Sequence, residues 1–243
     1  MTVQLIFDFF LVLARISALF TMVPGLSDER ISIKTRLGMS FAVTLCSVSF
    51  ASQYLPPYTT SSSLLVYYMI SEILIGMMLG LSLRILFSSI LTLGNIVSMQ
   101  SGLSAATMYD PSQKEQVAIF GSFVLTISLT MIFASDSHHL FIAGFLESYE
   151  KFRPGFMLDM SDMSLKITNT VNQAFNIAFK IAAPFIIVGT SILVGGGVLS
   201  RLMPTFQVFF VITPAQILIM FMVLYVVMNK IISIVIECLI GAF

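Results

Sequence analysis

Long apolar segments dominate the chain and predict a bundle of membrane helices. These segments lie at roughly 3–23, 37–51, 64–83, 85–99, 117–134, 167–199 and 205–243. An independent transmembrane helix needs about 20 predominantly apolar residues, so several of the segments are too short or too polar to cross a bilayer alone. We therefore expect an all-α membrane protein in which some hydrophobic helices do not span lipid by themselves.

Turn residues divide this pattern into helical hairpins. Residues 24–28 contain a Pro-Gly pair that ends the first helix, and residues 56–63 connect the second helix to the third. Segment 64–99 is almost continuously apolar and predicts a helix of about 50 Å. Kinks are expected in the later helices at Pro184, Pro204 and Pro214.

Residues 135–165 form the one sizeable hydrophilic insertion, and we expect this segment to contact water. Its charged residues are Asp136, Glu147, Glu150, Lys151, Arg153, Asp159 and Asp162. No repeat of fixed period is present, so residues 1–243 are expected to form a single domain.

Composition supports the membrane prediction, since 57% of the 243 residues are hydrophobic and 10% are charged. Twelve Lys and Arg balance twelve Asp and Glu, so the net charge does not favour nucleic acid as a partner. No basic residue precedes Arg15, and Asp8 interrupts the first apolar run, so we expect that run to be a retained helix instead of a signal peptide.

Charged residues within the apolar segments need explanation, because each would cost a few kcal/mol if it faced lipid. They are Asp8, Arg15, Glu72, Arg84, Lys180, Arg201, Lys230 and Glu237. Partners on other helices are the first expectation. The alternative is that four basic side chains snorkel at helix ends, namely Arg15, Arg84, Arg201 and Lys230.

One helix carries a polar stripe at three- and four-residue spacing. Its members are Lys166, Asn169, Asn172, Gln173, Asn176 and Lys180. A helix surrounded by lipid would leave these amides unsatisfied. The stripe therefore lines a water-filled conduit or packs against polar subunits, with a surface-lying amphipathic helix as the third possibility.

Small residues mark two further places. Gly76 and Gly80 form a face that allows two helices to approach closely, and Gly195–Gly197 predicts a bend or a close contact.

Residues 99–116, with sequence MQSGLSAATMYDPSQKEQ, predict a loop between hydrophobic helices. This loop could tuck into a cavity as a re-entrant plug, or it could be an ordinary exposed connection.

Candidate catalytic residues are few. Asp136, His138 and His139 cluster in sequence, but no HExxH, GxSxG or phosphate-binding glycine motif accompanies them. Cys46 and Cys238 are expected to be small core residues. We expect no enzymatic activity, cofactor or metal.

Several motifs follow one another in an order that resembles the FliR family of flagellar export-gate subunits and its SctT relatives in virulence type III secretion systems. They are Pro24 followed by Arg30 and Arg36 before Leu37-Gly38, then Glu72-x-x-x-Gly76-x-x-x-Gly80, then Gln100-x-Gly102-Leu103-x-x-Ala106-x-x-x-Asp110-Pro111, and finally Ser200-Arg201-x-x-Pro204 with Gln207-Val208-Phe209. The resemblance covers almost the whole chain.

This resemblance implies a subunit of a type III protein-export gate in the bacterial inner membrane, at the base of a flagellum or an injectisome. One such subunit would join FliP-like and FliQ-like subunits in a helical hetero-oligomeric assembly of kinked helical hairpins, near FlhB-like and FlhA-like components. Unfolded protein substrates would pass through its pore.

The family likeness also assigns roles to residues. The loop that plugs the pore would consist of Gln100, Gly102, Leu103, Ser104, Ala105, Ala106, Thr107, Asp110 and Pro111. Structural or inter-subunit positions would be Glu72, Gly76, Gly80, Arg201 and Pro204. The family's packing against other subunits would also explain the polar stripe found from residue spacing, of which Asn169, Asn172, Asn176 and Lys180 are the candidate site residues.

Two other function classes remain open at this stage. A small secondary transporter would use intramembrane Glu72 and Lys180 with the broken helices as its substrate or proton site. A membrane enzyme would be built around Asp136, His138 and His139.

Overall fold

The computed structural model describes residues 2–27, 31–103, 107–110, 115–136, 138–154, 160–203 and 207–242. Within these ranges the chain forms α1 (Thr2–Met22), α2 (Ile33–Ala51), α3 (Ser62–Ser101), β1 (Thr107–Asp110), β2 (Glu115–Ala118), α4 (Ile119–Ala134), α5 (His138–Lys151), α6 (Met160–Leu202) and α7 (Val208–Ala242). The prediction of a helical membrane protein is confirmed. The short hairpin of β1 and β2 lies inside the segment that was predicted to be a loop.

Four helices are long and apolar enough to cross a membrane. The qualifying stretches are Val3–Met22, Ser62–Ser101, Ser161–Leu202 and Phe210–Ile231. The helices α2, α4 and α5 do not qualify, in agreement with the expectation that several apolar segments cannot span lipid alone. Apolar segments 64–83 and 85–99 join in the single helix α3, whose 40 residues extend over about 60 Å.

Proline and glycine positions in the later helices have different outcomes. Pro184 and Pro214 lie inside the continuous helices α6 and α7, and Pro204 lies outside the described residues. In the triple-glycine segment, a Cβ atom added to Gly196 would lie 2.6 Å from Cδ1 of Ile212, whereas Gly195 faces open space. The predicted close contact is therefore present at the middle glycine.

Contacts between Cα atoms divide the chain into two compact units. The first unit comprises Met1–Leu86, Ser135–Val171 and Cys238–Phe243, and the second comprises Phe87–Ala134 and Asn172–Glu237. Helices α3, α6 and α7 each contribute residues to both units. The single domain over residues 1–243 stays a prediction.

In the first unit, α1 and α3 approach each other along the glycine face of α3. A Cβ atom added to Gly76 would collide with the carbonyl oxygen of Arg15. One added to Gly80 would lie 2.6 Å from Cβ of Met22 and 2.9 Å from the carbonyl oxygen of Leu19. The absence of side chains at these two positions thus allows the helix backbones to come together, as the sequence predicted.

Helix α2 buries its small residues and exposes its large ones. Its buried residues are Ser40, Thr44, Ser47 and Ala51. Its exposed large apolar residues are Ile33, Leu37, Met39, Phe41, Leu45 and Phe50. A helix on a water-soluble protein has the opposite arrangement, whereas membrane helices pack through small residues. The outer face of α2 is therefore suited to lipid or another protein, and the prediction that Cys46 is a core residue is wrong, since Cys46 is exposed on α2.

Candidate functional site

An ion pair between α1 and α3 forms the polar centre of the first unit. Nε of Arg15 donates to Oε2 of Glu72 at 2.5 Å, and Nη2 of Arg15 donates to Oε1 at 2.8 Å. Both side chains are 0% exposed. The two parallel hydrogen bonds match the planar guanidinium to the carboxylate, which is the strongest geometry for such a pair.

Residues at the end of α5 complete the surroundings of Arg15. Nη1 of Arg15 donates to Oγ of Ser148 at 3.2 Å, and Nη2 donates to the carbonyl oxygen of Phe152 at 2.9 Å. The guanidinium carbon lies 3.8 Å from the centre of the Tyr149 ring. Burial raises the pKa of the Tyr149 phenol far above its ordinary value, so the ring stays neutral. One arginine thus joins three helices of the first unit.

This cluster decides between the two expectations for Arg15. The side chain does not snorkel, because its partner is an acidic residue on another helix. Glu72 has an intrachain partner, so its role toward other subunits stays a prediction.

Asp8 has a different environment: it is buried, and its carboxylate accepts from Nε2 of Gln4 at 2.7 Å. The charged residues Arg84, Lys180, Arg201 and Lys230 are exposed on this chain.

Sequence reasoning missed Ser148 and Tyr149, because residues 135–165 were interpreted as a segment in water. In the structure, most of the first half of that segment is α5. Its charged residues Glu147, Glu150 and Lys151 are exposed, as expected, while the other face of the helix is buried. An alternation of apolar and charged positions in 138–151 was the available signal for this amphipathic helix.

The predicted plug segment begins where α3 ends. Gly102 follows Ser101 with φ of +75°, a left-handed conformation that favours glycine. Strands β1 and β2 then pair in antiparallel fashion, with Thr107 opposite Ala118. Their other end pairs Asp110 with Glu115, and α4 follows directly.

Several residues of the predicted plug, namely Ser104, Ala105, Ala106 and Pro111, lie outside the described residues. The described part connects two apolar helices of the second unit through a hairpin. Two of the helix positions on either side of it, Gly94 and Gly121, are in close backbone contact, because a Cβ atom added to Gly94 would overlap Cα of Gly121. The helices on either side of the segment, α3 and α4, are therefore in contact at this glycine pair.

The base of this segment also contacts α6 and α7 within the second unit. Nε2 of Gln216 donates to the carbonyl oxygen of Gln100, and Gln216 is 5% exposed. Gly189 of α6 also lies against Gln100. Neither Gln216 nor Gly189 was found from the sequence. Gln216 is an amide within the apolar run 205–243 and was a signal in itself, since an amide cannot be left unpaired in an apolar surrounding.

The polar stripe on α6 lies on an exposed face. Asn169, Asn172, Asn176 and Lys180 are all exposed, while Ala174, Ala178 and Ile181 on the opposite side are buried. Two aromatic residues, Phe175 and Phe179, are also exposed at 55% and 54% and border the stripe by helical spacing. The exposed face of α6 is therefore polar and aromatic at once. Arg201 is exposed in the last turn of α6, and Pro204 is outside the described residues.

One of the residues proposed for an enzyme, His139, has a local partner. Nδ1 of His139 lies 3.0 Å from the backbone carbonyl oxygen of Asp136, at the start of α5. In the part of the chain that the structure describes, no three His, Cys, Asp or Glu residues are grouped so that they could hold a metal ion. The side chain of His138 is outside that part.

Comparison with known proteins identifies the class to which these helices belong. Residues 6–240 match the family described as bacterial export proteins, family 1. The chain is 33% identical to the flagellar biosynthetic protein FliR of Caulobacter vibrioides over 86% of this chain and 83% of the relative. It is 28% identical to FliR of Bacillus subtilis, over 92% and 86%, and 24% identical to FliR of Escherichia coli, over 83% and 76%.

The chain therefore belongs to this family of bacterial export proteins, and the resemblance to FliR is confirmed.

Proposed function

We propose that this protein is a membrane subunit of the flagellar protein-export apparatus and that its 100–116 segment obstructs the export conduit at rest. The observation that carries the proposal is the geometry of this segment. It leaves a membrane-length helix at the left-handed Gly102 and returns through a short hairpin to an apolar helix. A segment whose two ends are held at packed helices is suited to fill a narrow pore and to be displaced by a passing substrate.

The partners we propose are FliP-like and FliQ-like subunits, with FlhB-like and FlhA-like components nearby. Support comes from the exposed surface of α6 and α7, which includes Ile187, Val194, Leu218, Met222, Tyr225 and Val226. Lipid is able to cover the apolar part of this surface. Lipid cannot satisfy the amides of Asn169, Asn172 and Asn176, so that part has to face a water-filled conduit, polar protein or the aqueous membrane surface, and we propose polar subunits as its partners.

The proposed location is the bacterial inner membrane at the base of the flagellum. The relatives compared above are named as flagellar proteins, which favours the flagellum over an injectisome. In this role the chain is a scaffold and a gate for unfolded protein substrates, and catalysis belongs to other components.

The transporter alternative has less support. Both carboxylate oxygens of Glu72 accept hydrogen bonds from Arg15, and the side chain is fully buried. A carboxylate in this arrangement is occupied by its partner, whereas a transport site needs an acidic group that can bind and release a cargo ion or proton.

We expect Gly102→Val to increase ion leakage through the resting membrane or to block export of flagellar subunits. A β-branched residue is strained at φ of +75° and has to displace the base of the plug. Gly102→Asn should have the milder effect, because asparagine tolerates the left-handed region. The measurements are the sodium or proton permeability of cells that express the apparatus, together with secreted flagellin.

The control for this experiment is Gly195→Val, which introduces the same side chain at a glycine that faces open space. Unchanged leakage and unchanged secretion in Gly102→Val, at normal protein levels, would contradict the plug.

The partner proposal has its own test. After co-expression with FliP-like and FliQ-like neighbours, the chain should be purified in mild detergent as a stable hetero-oligomer containing one copy of itself, as measured by native mass spectrometry. A separate monomer or homodimer, despite well-expressed neighbours, would disprove the assembly.

A further inference from the structure

We propose that Gln216 of α7 and Gly189 of α6 form a latch that holds Gln100, and with it the start of the plug segment, in the resting position. This inference rests on the proposed function for its consequence, although the latch itself is defined by contacts within the second unit. Its two components are a hydrogen bond to the backbone of Gln100 and a space that receives the side chain of Gln100.

The hydrogen bond acts on the end of α3. The last four carbonyl groups of a helix have no partner within the helix, and the carbonyl of Gln100 is among them because α3 ends at Ser101. The buried amide of Gln216 donates to this carbonyl oxygen. A side chain of another helix therefore caps α3 at the position where the plug segment starts.

The space for the side chain of Gln100 exists because residue 189 is glycine. A Cβ atom added to Gly189 would lie 2.6 Å from Oε1 and 3.0 Å from Cβ of Gln100, and 3.0 Å from Cε of Met220. The Oε1 and Cε atoms could rotate away, but Cβ of Gln100 is fixed to the backbone of α3. A methyl group at position 189 therefore pushes Gln100, and with it the last turn of α3, away from α6.

Both contacts converge on a residue that is two positions before Gly102. Thr213 of α7 extends the contact, since its Cγ2 atom lies 4.0 Å from the position that a Cβ of Gly102 would occupy. Opening of the plug then requires that one hydrogen bond breaks and that Gln100 leaves the surface of α6. A contact of this size is weak enough to be reversible, as a gate requires.

The test measures hydrogen exchange of the backbone amides in the full-length protein, purified from membranes in mild detergent. Gln216→Leu removes the hydrogen-bond donor and keeps the volume, and Gly189→Ala adds the obstructing methyl group. Their matched controls are Asn229→Leu, which removes an exposed amide from α7, and Gly195→Ala, which adds a methyl group to α6 in open space.

We expect about five- to ten-fold faster exchange in peptides covering residues 98–103 for Gln216→Leu, because loss of one hydrogen bond shifts the opening equilibrium by about this factor. Gly189→Ala should also speed up exchange in these peptides, because the added methyl group pushes Gln100 away from α6. Exchange in the remainder of α3 and in α7 should stay as in the unaltered protein, which separates loss of a latch from general unfolding. If Gly189→Ala does not yield folded protein, Gln216→Leu carries the test. Exchange at 98–103 that equals the controls would overturn the latch.

Ion leakage of cells carrying the same variants separates the latch from the plug function. Faster exchange with increased leakage supports both the latch and the plug. Faster exchange with unchanged leakage supports the latch and contradicts the role of the segment as a plug. Leakage without faster exchange overturns the latch, because the segment would then open by another route.

Discussion

Replacing Glu72 by alanine should destabilise the protein by about 3–5 kcal/mol, because it leaves the guanidinium of Arg15 buried without its acidic partner. The hydrogen bonds to Ser148 and Phe152 remain, but they do not neutralise the charge. We expect the temperature at which half of the detergent-solubilised protein aggregates to fall by about 10 °C. Arg15→Met should have an effect of similar size, since it leaves the carboxylate unpaired. The measurement is the soluble fraction after heating, determined by gel filtration.

The double variant Arg15→Met with Glu72→Leu distinguishes an ion pair from two independent contributions. If the two charges stabilise each other, the double variant recovers much of the loss, because no unpaired charge remains. Glu150→Ala serves as the control, since it removes an exposed carboxylate from α5 and should change stability by less than about 0.5 kcal/mol. Additive losses from the two single changes would show that Arg15 and Glu72 are not coupled in the protein.

The helices themselves could be predicted from the sequence because hydrophobic length is a local property. Each of the four membrane-length helices contains an apolar run that can be recognised without knowledge of the helices it packs against. The partner of Arg15 could not be predicted in the same way. Glu72 lies 57 positions further along the chain, and nothing in either local segment determines which of several acidic residues would be adjacent. A charge in an apolar run predicts that a partner exists, but it does not identify which residue the partner is.

Packing faces were less predictable than helix positions. On α2, the rule that large apolar residues are buried gives the wrong face, because Ser40, Thr44 and Ser47 are buried while Phe41 and Leu45 are exposed. The rule assumes that water covers the surface, and it loses its basis where lipid or another subunit does so. The same reasoning explains why Cys46 was wrongly expected in the core.

The sequence described the 100–116 segment in outline only, and its role as a plug stays a prediction. It marked the segment as a connection between two hydrophobic helices, and Gly102 has a backbone conformation that favours glycine. The hairpin was missed because strands of only four residues carry too little alternation to distinguish them from a loop. Gln216 was overlooked because one amide hardly changes the hydrophobicity of a long apolar segment. Its hydrogen bond to Gln100 is nevertheless expected, since a buried amide in an apolar environment needs a partner.

The glycine pair formed by Gly94 and Gly121 should tolerate an added methyl group at one position and not at the other. Gly94→Ala should destabilise the protein by about 1–3 kcal/mol or more, because the new methyl group overlaps the backbone of Gly121, and backbone atoms cannot rotate aside. Gly121→Ala should change stability by less than about 1 kcal/mol. Its methyl group would lie 3.5 Å from the carbonyl oxygen of Leu91 and 3.6 Å from Cα of Gly94, which are ordinary contacts.

The same heating assay compares these two variants, and the difference between their changes in stability is more informative than either change alone. Alanine favours a helix over glycine by up to about 1 kcal/mol, so Gly121→Ala could even stabilise α4. Gly94→Ala receives the same benefit in α3 and should nevertheless lose stability, because the two backbones must separate. Equal effects at both positions would mean that α3 and α4 do not cross at this pair. A selective loss in Gly94→Ala, together with increased leakage in cells, would connect the crossing to closure of the segment that both helices carry.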